Sequence, residues 1–579
     1  MTEADLENLC LSWFSETGWR VLHGPDIAPD GKNPLRSDFS RVVLSKEYEA
    51  VFREINSHLP PACCDDVLEQ VQRIGEIGLA ERNRAFHRLL VNGVPVTFRK
   101  EDRTVHERAF LIDFARPFLN RFAVVSQMSI LGSRRQVRRP DVLVYVNGFP
   151  LAVLELKNPA NENTDIWDAF QQLQTYKEDI PDLFTFNEAL VVSDGFTARV
   201  GALTADEERF LPWRTVRDED DRPRVEMQLE VVVKGFFEPK KWLDYVRYFV
   251  LFEQDGDRLI KKIAGYHQFH AVREAVEATL VASQQQRVVM VSEPRASHRK
   301  TVEPGSKKGG VVWHTQGSGK SITMVCYAGK LLQEPEMRNP TIVVVTDRND
   351  LDGQLYATFG ASHDLLKQVP VQALSRDDMR AQLEMRESGG IIFTTVQKFA
   401  LLDDEDRHPK LNGRHNIVVI SDEAHRSQYG LKPVLTRAGG FKFGYARHLR
   451  DALPNATFIG FTGTPVSRDD KDTRAVFGDY VSIYDMQDAV DDGATVPIYY
   501  ESRLARLDLN HAEIDALSAQ VEELVEDEED AASRERTKGV WSQLAKLVGA
   551  KPRLEQVSAD LVQHFETRTS VLEGKAMIV

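Results

Sequence analysis

Three residue types that together can handle a phosphodiester stand inside two otherwise aliphatic runs, "PDVLVYV" and "FPLAVLELK". Asp141 heads the first run, and Glu155 and Lys157 sit two apart in the second. That spacing puts Glu155 and Lys157 on one face of a strand and Leu154 and Leu156 on the other. Asp141 can oppose Glu155 only if the hairpin centres on Gly148. This predicts a three-residue loop or a bulge rather than a two-residue turn at Asn147-Gly148. In that register two carboxylates converge beside an ammonium. Two carboxylates with water and phosphate oxygens can hold Mg2+, and a lysine there can position or activate water and stabilise developing charge. The alternative is an amphipathic hairpin whose solvent face happens to be charged. The aliphatic flanks and the preceding Arg134, Arg135, Arg138 and Arg139 favour chemistry.

A second constellation lies downstream. "VVWHTQGSGKSITM" reads strand, glycine loop, helix. Gly317 and Gly319, with Ser318 between them, let backbone N–H groups wrap a phosphate. Lys320 can reach the β- and γ-phosphates, Ser321 can hold magnesium, and the helix adds its positive end. His314 stands where the strict loop pattern has glycine, a position that helicase-type loops relax. About a hundred residues on, "NIVVISDEAH" ends an apolar strand in Asp422, Glu423 and His425. Asp422 is placed to hold Mg2+ and Glu423 to orient and deprotonate water. ATP hydrolysis is the expected chemistry.

These residues need scaffolds, and 579 residues exceed one core, so several domains are expected. The pattern predicts an α/β protein. An endonuclease-like domain spans 1–235, a linker 236–260 and a RecA-like parallel-sheet domain 261–500. A helical acidic connector follows over 501–570, and 571–579 begins a second, incomplete RecA-like lobe. Residues 4–18 read as an amphipathic helix, strand-like runs follow through the first half, and 293–310 reads as a surface loop. No apolar run approaches the roughly 18 residues a membrane span needs. The N-terminus lacks a secretory layout, and four cysteines, two of them adjacent, suggest neither disulfides nor zinc. A cytoplasmic protein is expected. The net charge of -15 argues against coating nucleic acid through overall positive charge but leaves room for a local basic groove.

The spacing Pro140-Asp141…Glu155-Leu156-Lys157 resembles the PD-(D/E)xK nuclease site. "TQGSGKS", "DEAH" and "FTGTP" resemble the first three motifs of superfamily 2 helicases and translocases. That resemblance implies a coupling role for His425, Thr462 and Thr464, and makes Gln268 in "GYHQFHAVREAV" the adenine reader, a job its two-ended amide suits. Together the modules resemble the restriction and translocation (R) subunit of type I restriction enzymes through nearly the whole chain. "WDAFQQLQTYK" matches that family's Q-x-x-x-Y element, giving Gln172 and Tyr176 supporting roles. "TEADLENL" resembles its acidic first helix, with Glu7 as a contributor to the metal site and Glu3 as rival.

The resemblance implies ATP and Mg2+ as cofactors and double-stranded DNA as substrate, with methylation and specificity subunits as partners. The sequence stops at "LEGKAMIV", which resembles the first strand of the second lobe. A chain lacking that lobe would bind ATP, hydrolyse it poorly and not translocate alone. A stand-alone ATP-gated nuclease and a non-catalytic DNA- or ATP-binding remnant are the other readings.

Overall fold

The structure is a computed structural model. It describes residues 2–496 apart from 102, 159–164, 222–226, 285–301, 347–348, 403–404, 406, 425–433, 436–440, 443–444 and 465–470, and residues 551–577 apart from 572–573. The chain divides into two units, 1–496 and 497–579. In the second, Lys551–Thr569 is a helix. Residues 574–577, expected to begin a strand, have no strand pairing among the described residues. Most of the acidic connector, including 522–530, lies outside the described residues.

The first unit opens with α1 (Glu3–Glu16), two residues shorter than the predicted helix at its C-terminal end. Thr2 and Asp5 form a reciprocal capping box at its start. Six strands build the first sheet: β1 (Arg20–His23), β2 (Phe122–Ser126), β3 (Val142–Val146), β4 (Phe149–Leu156), β5 (Ala189–Ser193) and β6 (Ala198–Gly201), in that spatial order. The β1/β2 and β4/β5 pairs are parallel and the others antiparallel. Helix α2 (Ile166–Asp179) crosses between β4 and β5. The strand-like reading of the first half needs correction over Ser45–Ile55, Cys63–Gln72 and Leu79–Asn92, which are helices. In the first of these, Tyr48, Val51, Phe52 and Ile55 are buried at helical, not alternating, spacing.

The β3–β4 hairpin corrects the predicted turn while keeping the predicted register. Val146 pairs with Phe149, so Asn147-Gly148 is a two-residue turn. Both turn residues have positive φ, 52° and 84°, as type I′ geometry requires. The ladder then shifts between Val144 and Tyr145, leaving Leu151 as the extra residue, and beyond it Val142 faces Leu154. The same register extended by one residue sets Asp141 against Glu155. The expected bulge is present, but it acts together with the two-residue turn that was expected to be absent. Gly148 has no room for a side chain: a Cβ there would lie 2.6 Å from the Leu44 carbonyl.

Residues 236–260, expected as a linker, form packed structure. Pro239 starts α3 (Pro239–Tyr248) at a position where its missing N–H costs nothing. The hairpin β7 (Val250–Asp255) and β8 (Arg258–Ile263) follows. Trp242, Tyr245, Val246 and Phe249 are buried there, because the segment is too apolar to stay in water. From β8 the fully buried Lys261 ammonium donates to Glu188 at 3.0 Å, Asn83 Oδ1 at 2.9 Å and the Asn187 carbonyl at 2.5 Å.

Helix α4 (Tyr266–Ser283) leads into the second sheet. Its strands are β9 (Lys308–His314), β10 (Thr341–Thr346), β11 (Val371–Gln372), β12 (Ile391–Thr395), β13 (Ile417–Ser421), β14 (Thr457–Thr462) and β15 (Tyr480–Tyr484). The spatial order is β11-β12-β10-β13-β14-β9-β15, and every pair is parallel. Helix α5 (Lys320–Leu332) follows β9. The central strands are buried apolar runs, as in a sheet covered on both faces. Arg84 and Arg88 pair with Asp364 at 2.7 and 2.8 Å, tying a helix of the first half to this second layer. Among the described residues no helix is long and apolar enough to cross a membrane.

Candidate functional site

The structure brings Asp141, Glu155 and Lys157 together at one end of the first sheet. Glu155 is fully buried and Asp141 is 8 % exposed. The Asp141 Oδ2 accepts the Leu156 N–H at 2.7 Å, so the two strand ends are stitched side chain to backbone. Lys157 donates to Glu155 Oε1 at 3.1 Å and to Gln172 Oε1 at 2.6 Å. The Gln172 amide nitrogen then donates to the Tyr176 hydroxyl at 2.5 Å, and that hydroxyl donates to the Arg139 carbonyl at 3.4 Å. Gln172 and Tyr176 are one turn apart on α2 and therefore face the same way.

The other Glu155 oxygen, Oε2, is buried without a hydrogen-bond partner. An orphaned buried carboxylate oxygen costs about 1–3 kcal/mol or more, and a cation is the group that would satisfy it. Burial, then the charge of Asp141, pushes the Glu155 carboxyl up to about 8. Burial raises Asp141 to about 6, against the Leu156 hydrogen bond that lowers it. Among the described residues no three His, Cys, Asp or Glu side chains are already grouped as a metal cage. The centre offers two carboxylates, which is the usual protein share for Mg2+ when waters and substrate phosphates complete the shell.

Both acidic candidates on α1 lie close enough to act on this centre. The Glu3 charge raises both Asp141 and Glu155, and that of Glu7 raises Asp141. Glu3 is exposed, whereas half-buried Glu7 accepts from Gln127 Nε2 at 2.6 Å. Gln127, just after β2 with φ of 55°, holds the Glu7 carboxylate, a contact that sequence reasoning missed. A lone glutamine after an aliphatic strand carries no signal of its own.

The nucleotide centre forms at the C-terminal edge of the second sheet. β14 lies between β13 and β9, so Thr462, Asp422 and the glycine loop converge there. Trp313 pairs with Thr462 and Ser421 with Gly460. Gly317 and Gly319 take φ of 84° and 82°, a conformation that glycine adopts without penalty. Ser318 is buried and its hydroxyl donates to the Thr315 carbonyl at 2.6 Å. Half-buried Lys320 and Ser321 open α5. A Cβ on Gly463 would stand 2.6 Å from Lys320 Nζ, so the "FTGTP" loop meets the loop lysine at a residue with no side chain.

Asp422 follows β13, its Oδ1 accepting the Glu423 N–H at 3.0 Å. Burial, with the Glu423 charge second, raises Asp422 to about 6. Glu423 has φ of 47°, the kind of sparsely populated backbone that clusters at functional sites. Thr462 and Thr464 bracket Gly463. Thr462 Oγ1 accepts the Thr464 N–H at 3.2 Å and lies 3.1 Å from the Thr464 carbonyl. His425 lies outside the described residues.

Gln268 is buried, not on an exposed helix face. Its Oε1 accepts the Gly265 N–H at 2.8 Å, and its Nε2 donates to the Ser318 and Gly319 carbonyls at 3.1 and 3.0 Å. The amide therefore braces the glycine loop. His267 also touches that loop, with Nε2 3.1 Å from the Ser318 carbonyl and its ring stacked on Tyr484 at 3.9 Å. The loop's odd residue, His314, is buried 3.1 Å from Ser482 Oγ, and burial holds its pKa well below the usual imidazole value.

These features define a class: a mixed α/β domain consistent with a PD-(D/E)xK fold, followed by a RecA-like lobe of superfamily 2 with nucleotide-binding capacity. Residues 1–209 match the family model for the type I restriction enzyme R protein N terminus, and 267–533 match that for the SWI2/SNF2 ATPase. The type I restriction enzyme HindI endonuclease subunit of Haemophilus influenzae is 47% identical over 100% of this chain and 52% of its own length. A Methanocaldococcus jannaschii relative is 32% identical over 99% of this chain and 53% of its own. The type I restriction enzyme SauMSSORF170P endonuclease subunit of Staphylococcus aureus is 27% identical over 70% and 38%. This chain is similar to type I restriction enzyme R subunits throughout its length, and its first 209 residues match the N-terminal domain of that family. It spans about half the length of the curated relatives it matches.

Proposed function

We propose that this chain is the restriction subunit of a type I restriction–modification system, moving duplex DNA with ATP and cutting both strands with Mg2+ in defence against unmodified DNA. Methylation and specificity subunits would read the target, so this chain need not contact base edges. The observation that carries the reading is the buried Asp141–Glu155–Lys157 constellation with its unsatisfied Glu155 Oε2, in one chain with the glycine loop, Asp422 and Thr462. Residues 1–235 would form the nuclease domain and 261–500 the motor lobe.

Asp141 and Glu155 would hold Mg2+ at the hairpin, and a bound cation there supplies Lewis-acid activation of phosphate and water. Gln172 keeps the Lys157 ammonium against Glu155, where it can orient the attacking water and offset charge developing on the phosphate. Tyr176 fixes Gln172 in turn. At the second centre Lys320 and the loop N–H groups would bind the nucleotide phosphates, with Ser321 and Asp422 on the magnesium side. Glu423 would take the proton of the hydrolytic water, Gln268 would read adenine only by exchanging its bonds to the Ser318 and Gly319 carbonyls for the base, and Thr462, Thr464 and His425 would relay hydrolysis to movement.

The test is Mg2+-dependent cleavage of plasmid DNA together with ATP binding, with methylation and specificity subunits supplied. Wild type is compared with Asp141→Ala. Abolished cleavage in the variant with ATP affinity unchanged is the expected result. An Asp141→Ala protein that still cuts would remove the hairpin from the chemistry.

A further inference from the structure

We propose that the short hairpin formed by Ile130–Leu131 and Val137–Arg138 is a docking element for the backbone phosphates of duplex DNA, through Arg134, Arg135 and Arg139. The inference rests on the nuclease reading of the adjoining centre. All three arginines are exposed, and none makes a side-chain hydrogen bond or ion pair among the described residues. Other arginines of the domain are engaged: Arg20 with Glu47, Arg116 with Asp113 and Arg121 with Glu54.

The hairpin is fixed to the machinery of the site. Its strands pair Ile130 with Arg138 and Leu131 with Val137, and the Leu131 N–H donates to the Phe39 carbonyl at 3.0 Å. Arg138 pairs with Asp179 at 2.6 Å. Gly132 sits so close to the last turn of α2 that a Cβ would lie 2.2 Å from the Asp179 carbonyl. The same helix carries Gln172 and Tyr176, and Tyr176 donates to the Arg139 carbonyl. Seven residues of helix separate Gln172 from Asp179, roughly 10 Å. The arginines are therefore held within reach of phosphates flanking the one that meets Lys157.

Charge explains why such an element is needed. The chain carries a net -15, and the centre itself gathers Glu3, Glu7, Asp141 and Glu155. A polyanion approaching that cluster is repelled unless local cations offset it. Arginines whose side chains are unpaired among the described residues, on a braced hairpin, supply that offset, and binding to phosphate positions a duplex without reading sequence.

Binding of the full chain to a random-sequence duplex, without divalent metal and across a range of NaCl concentrations, tests the assignment. The proteins are wild type, R134A/R135A/R139A, its charge-keeping counterpart R134K/R135K/R139K, and Asp141→Ala. Each phosphate left without its arginine lowers the slope of log K against log salt by about 0.9, so the slope of the triple alanine protein should be shallower by about 2–3. Its dissociation constant near 0.1 M salt should rise about tenfold or more, with Tm and ATP affinity unchanged and the lysine version close to wild type. Equal slope and affinity in wild type and triple alanine overturn the proposal, and would assign the arginines to another partner such as an acidic protein face. Asp141→Ala should bind as wild type yet fail to cut in Mg2+. If it cuts, the nuclease reading fails while the binding curves still decide the hairpin.

Discussion

Gln172 grips Lys157: its Oε1 accepts from the ammonium at 2.6 Å while its amide nitrogen donates to Tyr176 at 2.5 Å. Two elements separated by the β4–α2 connection thus share one hydrogen-bond chain. Replacing Gln172 with alanine frees the ammonium from one of its two anchors. Cleavage should fall about 10- to 100-fold, the usual loss for a residue supporting the groups that do the chemistry. ATP affinity should not change. A plasmid-cleavage time course beside a nucleotide titration checks both, and parallel loss of the two would point to misfolding.

Gly463→Ala would introduce a Cβ 2.6 Å from Lys320 Nζ. The ammonium must move, so nucleotide affinity should drop, while metal-dependent nicking that needs no ATP should persist. Titration with a fluorescent ATP analogue reads the first effect. Wild-type affinity would show that Lys320 does not work from this position.

Lys261 and Glu188 form a fully buried pair at 3.0 Å. Burial pushes the Glu188 carboxyl up, but Lys261 and His87 outweigh it and hold it below its ordinary value. Lys261→Met alone strands that carboxylate and should cost roughly 3–5 kcal/mol. The double change Lys261→Met with Glu188→Leu should recover most of the loss, because apolar replacements of a whole buried pair are often near neutral. Urea denaturation of both variants decides; equal loss in single and double variants would locate the cost in packing.

Burial, and then Arg273, presses the Lys241 ammonium down to about 8. Between about 8 and the unfolded lysine value of about 10.4 the unfolded chain binds more protons than the folded one. Stability from this group therefore rises with pH across that window, and its penalty is fully present below it. Relative to Lys241→Met, the wild type should gain Tm between pH 8 and 10. A constant difference would mean Lys241 keeps an ordinary affinity for its proton.

The motor sheet is legible in the sequence because its strands are short, apolar and separated by helices, as "TIVVVTD" and "HNIVVISDEA" show. The glycine loop and the Asp141…Glu155-x-Lys157 spacing are legible because each is local in sequence. What escapes depends on partners far along the chain. Gln127 matters through Glu7, 120 residues away, and His267 through the Ser318 carbonyl, 51 away. The helices of residues 45–92 are hard to read because their apolar residues are sparse among charges. The segment 236–260 reads as a linker from its change of periodicity, although Trp242 and Phe249 mark a stretch that must be covered. The hairpin register came through because it follows from which charges must meet, and a turn type alone would have given the wrong pairing.

Leu151 carries a consequence for how this domain can vary. Side chains on a strand alternate with a period of two, so the extra residue on β4 sets the parity of everything after it. Removing it would leave the hydrophobic content of the hairpin almost intact, yet either break the ladder beyond Val144 or rotate Glu155 and Lys157 to the opposite face. The site is thus more sensitive to residue count between Gly148 and Glu155 than to the identity of the aliphatic residues there. Substitutions among Val, Leu and Ile can accumulate on this strand, while a one-codon insertion or deletion silences the centre in a single step.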